Sequence, residues 1–346
     1  METRELFDLL EKLYKSNVIG LSKLARTLGI SYNKLYVFIN TLKRMNFNII
    51  PCISLRLLGI GLVVVISDDE IFENDCKPLF PRDYFTLLMV PLDIEFKNMR
   101  TIIGSSTNIH KVYLMEEAQL SKPHFIRYNI SDFSMLKKEG IWKKFLEIIN
   151  EVSRERATTH DSMVNLQHIV RYRIDKTDLR IMKEIINNSF ISSKKLAEKL
   201  GISVGKLRRR ISTRIEPLMK GYRVMWAPYY RLFNAVLFTV LRTKSIPSKI
   251  LYEILSEFPL TILATHNPNE KIIINAWLMD SNVYKFSKKY MKIMERDHGI
   301  EFIESWGYLY SGDEKKIIPC RALVKYDKET RKLTLITPSK NIIKST

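Results

Sequence analysis

Cysteine is scarce in this sequence, and the three cysteines it has lie far apart, at positions 52, 76 and 320. No C-x-x-C spacing occurs, so neither a zinc site nor a disulfide framework is indicated. Scattered, odd-numbered cysteines are typical of proteins kept in a reducing compartment. We therefore expect a cytoplasmic protein with free thiols.

Long hydrophobic runs are also lacking. The most apolar stretch, LLGIGLVVVIS (57–67), is shorter than the roughly 20 residues that a membrane-spanning helix needs. Its valines and isoleucines are typical of a buried strand. The opening METRELFDLL carries three acids and no apolar core, so no secretion signal is expected. We expect no membrane segment.

Acidic residues are outnumbered by basic ones. The 346 residues include 56 Lys and Arg against 37 Asp and Glu, a net charge of +19. Such a balance usually indicates a polyanionic partner, although a lysine-rich surface without that role is the plain alternative. With 46% hydrophobic residues, the chain is long enough for two to four small domains with their own cores.

Sequence signatures of catalysis are missing as well. No phosphate-binding G-x-x-x-x-G-K-[ST] loop, G-x-S-x-G elbow or G-x-G-x-x-G turn occurs. The six histidines show no metal-ligand spacing. We therefore expect no enzymatic activity, no cofactor and no metal.

The sequence does contain an internal repeat. IGLSKLARTLGISYNKLYVFINT (19–41, the first copy) aligns without gaps with ISSKKLAEKLGISVGKLRRRIST (191–213, the second copy), and 12 of 23 positions are identical. Each copy predicts a helix, a glycine turn (Gly29 or Gly201) and a further helix that begins after a serine N-cap. This pattern is typical of a helix-turn-helix.

The further helix of the second copy is rich in cations. Leu207 and Ile211 are expected to face the core, so Lys206, Arg208 and Arg209 point outward while Arg210 lies nearer the flank. In helix-turn-helix proteins this helix enters the DNA major groove, where arginine suits phosphate and the guanine edge. The candidate DNA-binding residues are Ser203, Lys206, Arg208, Arg209, Arg210 and Arg214, with Ser203 and Arg214 as phosphate ligands. A solvated charged face is the alternative.

The equivalent helix of the first copy carries much less charge. It offers Tyr32, Asn33, Lys34 and Tyr36 outward, and these types can also contact bases or phosphates. They are weaker DNA-binding candidates. The alternative is that this copy has become a packing or protein-contact module.

The residues over 174–310 resemble the Lrp/AsnC (leucine-responsive, feast-famine) family of transcriptional regulators, common in archaea and bacteria. The segments that carry the resemblance are DKTDLRIMKEI, SSKKLAEKLGIS, RRRI, KGYRV and HGIEFIESW. It implies an α+β fold with a winged helix-turn-helix and a ferredoxin-like β-α-β-β-α-β effector (RAM) module, with double-stranded DNA as the partner. The turn HNPNEK (266–271) lacks the family's glycine and aspartate, so the effector, if there is one, stays unidentified.

Applied to both copies, the resemblance predicts two winged helix-turn-helix modules and two ferredoxin-like modules, the first of them reduced. Relatives form homo-oligomers through their ferredoxin-like sheets, so a tandem chain is expected to form an internal pseudo-dimer. The expected boundaries are helix-turn-helix modules at 1–50 and 173–228, ferredoxin-like modules at 51–130 and 229–312, a connector helix and linker at 131–172, and a C-terminal hairpin at 313–346.

Two other functions remain open at this stage. A non-specific architectural protein would use the same charge without sequence choice. The chain also resembles the sirohaem decarboxylases, tandem Lrp-like enzymes with a His-Arg motif before the first ferredoxin-like strand. Here the matching PYYRLFNAVLF has Arg231 but no histidine, which leaves this alternative the weaker one.

Overall fold

The computed structural model describes residues 3–68, 77–78, 84–92, 109–120, 122–125, 127–130, 133–156, 174–226, 230–309, 320–322, 324–327 and 333–335. The fold mixes helices and sheets. The chain divides into two units, each built from separated stretches of sequence. The first unit comprises Met1–Leu58, Val170–Pro228 and Tyr326–Lys332, and the second unit comprises Gly59–Ile169, Tyr229–Lys325 and Leu333–Thr346.

The α-helices are α1 (Thr3–Lys15), α2 (Leu21–Leu28), α3 (Tyr32–Arg44), α4 (Glu139–Arg156), α5 (Lys176–Asn187), α6 (Ser193–Leu200), α7 (Val204–Arg210), α8 (Ser248–Glu257) and α9 (Ser281–His298). The strands are β1 (Phe47–Ile53), β2 (Ile60–Ser67), β3 (Lys77–Pro78), β4 (Tyr84–Pro91), β5 (Ile109–Met115), β6 (Glu117–Leu120), β7 (Met219–Trp226), β8 (Ala235–Thr243), β9 (Thr261–Asn267), β10 (Ile272–Met279), β11 (Ile300–Leu309), β12 (Cys320–Ala322), β13 (Val324–Tyr326) and β14 (Leu333–Leu335). No helix of the described residues is long and apolar enough to cross a membrane.

The first unit contains two segments with the same succession of three helices and a strand. Segment 1 (residues 3–53) holds α1, α2, α3 and β1, and segment 2 (residues 174–226) holds α5, α6, α7 and β7. Strand β7 begins at Met219, 172 residues after Phe47 begins β1. This is the same offset that relates the two repeat copies, so the strands occupy equivalent places in the two segments.

Strands β1 and β7 pair with each other as an antiparallel ribbon, from Phe47 opposite Trp226 to Cys52 opposite Gly221. Helix α1 packs against β7, and α5 packs against β1. The opening helix of each segment therefore covers the strand of the other. A two-stranded ribbon has only marginal stability by itself. Each strand of this ribbon gains an apolar surface from the opening helix of the other segment, and this packing stabilises the pair.

Hydrogen bonds also link the two segments. The Tyr222 hydroxyl donates to the carbonyl of Val18 at 2.8 Å, and the backbone N–H of Ser54 donates to the carbonyl of Leu218 at 2.8 Å. The buried hydroxyl of Ser189 donates to the carbonyl of Ile49. Buried polar groups of each segment are thus satisfied by the other.

The second unit is built on a six-stranded sheet in the order β3-β11-β8-β10-β9-β6. Along the chain its central elements follow as β8, α8, β9, β10, α9 and β11. Strands β8, β9 and β10 are buried over almost their whole length. Such burial requires cover on both faces, which explains the near-continuous apolar sequence of β10, whereas β9 also buries polar side chains.

Helix α4 lies in the segment predicted to connect the two halves, and it packs into the core of the second unit. Trp142 is fully buried, with its ring centroid 5.4 Å from that of Trp277 and 5.1 Å from that of Phe258. Phe145, one turn later, lies 4.5 Å from Phe258. Helix α4 is therefore part of this core as well as a connector between the two halves of the sequence.

A second sheet of the same unit has the order β12-β4-β2-β5. Strand β2 pairs antiparallel with both β4 and β5, and β12, from the predicted C-terminal extension, pairs parallel with β4. The sequence of the reduced module indicates a strand over 111–118, and in the structure this stretch is divided between β5, which joins this sheet, and β6, which joins the six-stranded one. The sequence also indicates a helix near 95–103, which lies outside the described residues. Strands β13 and β14 pair with each other.

Candidate nucleic-acid interface

The turn between α6 and α7 has the geometry that the sequence predicts. Gly201 ends α6 in the left-handed conformation, with φ 66° and ψ 35°, which glycine adopts without a Cβ penalty. Ser203 caps α7, and its hydroxyl accepts a hydrogen bond from the backbone N–H of Lys206 at 3.2 Å. Segment 1 repeats both features with Gly29 and Ser31. The Ser203 hydroxyl thus accepts the N-cap hydrogen bond of α7.

Helix α7 exposes three of the predicted cations. Leu207 is fully buried, whereas Lys206, Arg208 and Arg209 are exposed. These three residues, the cationic ridge, form no ion pair with any residue that the structure describes. Unpaired cations concentrated on one short helix attract polyanions, and the arginine fork fits phosphate and the guanine edge.

Two other predicted cations, Arg210 and Arg214, are turned toward α5. Nη1 of Arg210 lies 2.7 Å from a carboxylate oxygen of both Asp175 and Asp178. Nη1 of Arg214 lies 3.1 Å from Asp175 and 2.9 Å from Asp178. We call these four residues the acid–arginine cluster. The structure thus pairs Arg210 and Arg214 with carboxylates at the start of α5, while their predicted contact with DNA stays a prediction.

The same two carboxylates begin α5. Asp175 caps the helix by accepting from the N–H groups of Thr177 and Asp178 at 2.8 and 3.0 Å, and Asp178 accepts from the N–H of Asp175 at 3.0 Å. This reciprocal arrangement is a capping box. Burial acts to raise the pKa of Asp175, but hydrogen bonds from Arg210 and the backbone outweigh it and leave the pKa below its ordinary value. The cluster therefore ties the end of α7 to the start of α5.

Segment 1 has no such cluster at the equivalent positions. The residues 172 positions before Arg210 and Arg214 are Phe38 and Leu42, and both are buried. Segment 1 thus uses apolar side chains at both positions, whereas segment 2 adds ion pairs there to the apolar packing of Leu207. Because buried ion pairs seldom add stability over apolar packing, the charges of segment 2 are better suited to positioning α7 than to stabilising it.

Helix α7 of segment 2 is followed by two irregular helical turns. Residues Ile211–Ile215 form a π-helical turn, and Glu216–Leu218 form a 3-10 turn that contains Pro217. The buried Glu216 then accepts from the backbone N–H of Ile19 at 2.9 Å and from the ammonium of Lys23. Through this carboxylate the end of the irregular turn is anchored to the start of the helix-turn-helix of segment 1.

The predicted residues of segment 1 lie on the exposed side of α3. Tyr32, Asn33, Lys34 and Tyr36 are all exposed, and the rings of the two tyrosines stack with centroids 6.3 Å apart. Lys34 pairs with Glu5, its ammonium 2.6 Å from the carboxylate. The structure thus exposes all four residues on α3, and it pairs the single positive charge among them with a carboxylate.

Gly205 is a position of α7 that sequence reasoning did not single out. This glycine lies in the first turn of α7, and a Cβ added there would meet no described atom within 4 Å. Glycine in a helix costs roughly 0.5–1 kcal/mol relative to alanine, and packing against the described residues does not require it. Close approach of the backbone to a ligand is one of the uses of such a glycine, and the residue is visible in SVGKLRRRIS.

Residues 174–213 match a family model described as winged helix-turn-helix DNA-binding. A comparison with curated proteins found no match. Among solved structures, the chain is similar to the siroheme decarboxylase NirDL in co-complex with an iron-uroporphyrin III analogue (TM-score 0.50, 12% identity, 88% of this chain and 91% of that one). It is also similar to an AsnC family transcriptional regulator from Agrobacterium tumefaciens (TM-score 0.31, 20% identity, 40% of this chain and 90% of that one).

These comparisons bear on different parts of the chain. The family match covers the three helices of segment 2, which are similar to a winged helix-turn-helix DNA-binding domain. The likeness to the decarboxylase covers most of the chain and, at 12% identity, shows a related fold alone. The cationic ridge lies within the matched residues, so its geometry belongs to a DNA-binding domain.

Proposed function

We propose that the chain is a sequence-specific, DNA-binding transcriptional regulator of the Lrp/AsnC type, without enzymatic activity of its own. The observation that carries the proposal is the cationic ridge: three exposed cations on the second helix of a winged helix-turn-helix. That helix enters the major groove in proteins with this motif. Duplex DNA is the polyanion that fits both the charge and the shape.

The proposal includes an internal pseudo-dimer. Segments 1 and 2 have equivalent elements, and their strands β1 and β7 pair within one unit. The proposed duplication thus supplies two helix-turn-helix modules from one chain, which would face two half-sites of one operator about one helical turn apart. Because the two helices differ in sequence, the operator is expected to be asymmetric.

The second unit would carry the family's two ferredoxin-like modules. In the six-stranded sheet, strands β11, β8, β10 and β9 with helices α8 and α9 support one such module by their order. The sheet of β4, β2 and β5 would be the reduced module. Homo-oligomers through these sheets, and a small-molecule effector, belong to the proposal as family properties.

The test is selection of duplexes by the full chain from sheared genomic DNA, sequenced after retention at two salt concentrations. Enrichment of a defined two-part motif at both concentrations is the result we expect. Uniform retention that disappears at the higher salt would instead favour a non-specific architectural protein, because phosphate contacts alone carry no sequence choice. No retention at the lower salt would contradict DNA binding altogether.

A variant sharpens the test. Arg209→Ala removes an exposed, unpaired cation, so we expect binding of the enriched duplex to weaken by about 1–3 kcal/mol if the arginine contacts a guanine edge. The loss should be confined to duplexes with a guanine at one position. An equal loss on every sequence would show a phosphate contact only.

A catalytic alternative is tested separately. The solved structure of a siroheme decarboxylase shares the fold over most of the chain, and Arg231 is exposed at the position noted above. Titrating the full chain with sirohaem and recording the absorption spectrum distinguishes the two proposals. A saturable shift of the tetrapyrrole bands would favour the enzyme, and an unchanged spectrum the regulator.

A further inference from the structure

The exposed face of α3 differs in chemistry from the exposed face of α7. In α3 the side chains of Asn33 and Val37 are exposed, and because they lie four residues apart they share one side of the helix. Val37 is 63% exposed, and Leu35 faces the opposite way and is fully buried. The equivalent positions in α7, 172 residues later, are Gly205 and Arg209.

Between Tyr32 and Asn40 the exposed side chains of α3 are mostly aromatic or aliphatic. Lys34 is the one cation between Tyr32 and Asn40, and Glu5 holds it in an ion pair. The stacked rings of Tyr32 and Tyr36 are 47% and 51% exposed. A cluster of exposed apolar side chains on one helix indicates a contact surface rather than a requirement of the fold.

The surroundings of this face favour DNA as the partner. Arg26 on α2 and Lys43 and Arg44 in the last turn of α3 are all exposed. The face lies at the equivalent place to the cationic ridge, in the same unit, and β1 and β7 join the two segments. An exposed apolar strip, with exposed cations on the same helix and on the preceding one, fits a groove floor bordered by phosphate backbones.

We propose that α3 contacts an A·T-rich half-site, whereas α7 contacts a half-site that contains guanine. An asparagine side chain can bond adenine N6 and N7 together, and an apolar side chain fits the thymine methyl group. Asn33 would take the adenine, Val37 the thymine methyl, and Arg209 the guanine O6 and N7. This inference rests on the proposed function and assigns a base composition to each half of its operator.

The experiment uses the full chain and the duplex of highest affinity from the selection. Deoxyuridine replaces thymine in one half-site, which removes only the C5-methyl group. In the other half-site 7-deazaguanine replaces guanine, which removes only the N7 acceptor. Affinities are measured for the wild type, Asn33→Ala, Val37→Ala and Arg209→Ala, with Asn150→Ala, an exposed helical asparagine of the second unit, as the matched control.

Each modified base should lower the affinity only of those proteins that keep the side chain proposed to contact it. Deoxyuridine should weaken wild-type binding about fourfold, the equivalent of one buried methyl group, and should not weaken Val37→Ala further. Asn33→Ala should lower discrimination at the adenine roughly 5- to 150-fold. The 7-deazaguanine change should weaken the wild type and Val37→Ala alike but leave Arg209→Ala unaffected.

The outcomes separate this inference from the function on which it rests. If Arg209→Ala and 7-deazaguanine weaken binding while Asn33→Ala and deoxyuridine do not, the inference is overturned and the proposed function stands. If no duplex is selected, both fail. If Val37→Ala leaves DNA affinity unchanged but lowers the molar mass in light scattering, the face joins copies of the chain, and the inference is overturned.

Discussion

At Gly205 of α7, one substitution is expected to have opposite effects on folding stability and on DNA affinity. Gly205 lies in the first turn of the helix, where a side chain would meet no described atom. Alanine at this position should therefore stabilise the helix by roughly 0.5–1 kcal/mol. If DNA approaches the backbone there, the same methyl group should weaken binding by displacing the helix from the groove.

The comparison needs a glycine in a similar place without a binding role. Gly140 lies in the first turn of α4, and a Cβ there also meets nothing within 4 Å. Urea unfolding should show a similar gain for Gly140→Ala and Gly205→Ala. Binding to the selected duplex should fall for Gly205→Ala alone; equal affinities for the two variants would show that DNA does not approach α7 closely.

Neighbouring arginines of one short run have different surroundings. Arg209 is exposed, whereas Arg210 bonds Asp175 and the fully buried Asp178. Arg210→Met should lower the free energy of unfolding by about 2 kcal/mol, because it leaves a buried carboxylate with fewer donors. Arg209→Met should change it by less than about 0.5 kcal/mol. Chemical denaturation of both variants checks this, and equal destabilisation would contradict the described geometry.

At the scale of elements, the irregular end of the α7 region is joined to α2 by one carboxylate. Glu216 accepts from the N–H of Ile19 and from Lys23. Glu216→Ala should destabilise the first unit by about 1–3 kcal/mol, since a backbone donor loses its partner. Glu198→Ala, an exposed acid on α6, is the control. A loss no larger than that of the control would show that this contact does not hold the two segments together.

The elements themselves were largely predictable, because each carries a local signal. The serine caps, the left-handed glycines and the alternation of Leu207 with exposed cations were all visible in the sequence. Strand β1 was not predicted, because its partner, β7, lies more than 150 residues away along the chain. The core position of α4 was missed for a similar reason: an amphipathic stripe does not reveal what covers it.

Partners of charged side chains were the least predictable part of the site. Helical spacing placed Lys206, Arg208 and Arg209 outward, and the structure has them exposed. Spacing alone could not show that Arg210 and Arg214 would meet Asp175 and Asp178, which lie more than 30 residues earlier. A run of basic residues in the sequence shows how many cations a helix carries. Which of them form ion pairs within the protein depends on the tertiary structure.

At the scale of the whole molecule, two features matter: the net charge of +19 and the different contents of the two units. The first unit holds both three-helix segments, and the second holds the two larger sheets. In our account the first unit binds DNA and the second supports assembly and control. In this proposal the general charge would speed the encounter with any duplex, and the two exposed helix faces would discriminate among sequences.

The most direct test of this account is the salt dependence of binding to the selected duplex, for the wild type and for a variant with Lys206, Arg208 and Arg209 all changed to Ala. A plot of log affinity against log salt falls by about 0.9 for each phosphate neutralised. We predict that the variant binds at least about tenfold more weakly and has a shallower slope. Equal affinity and equal slope for the two proteins would contradict the claim that the cationic ridge contacts DNA.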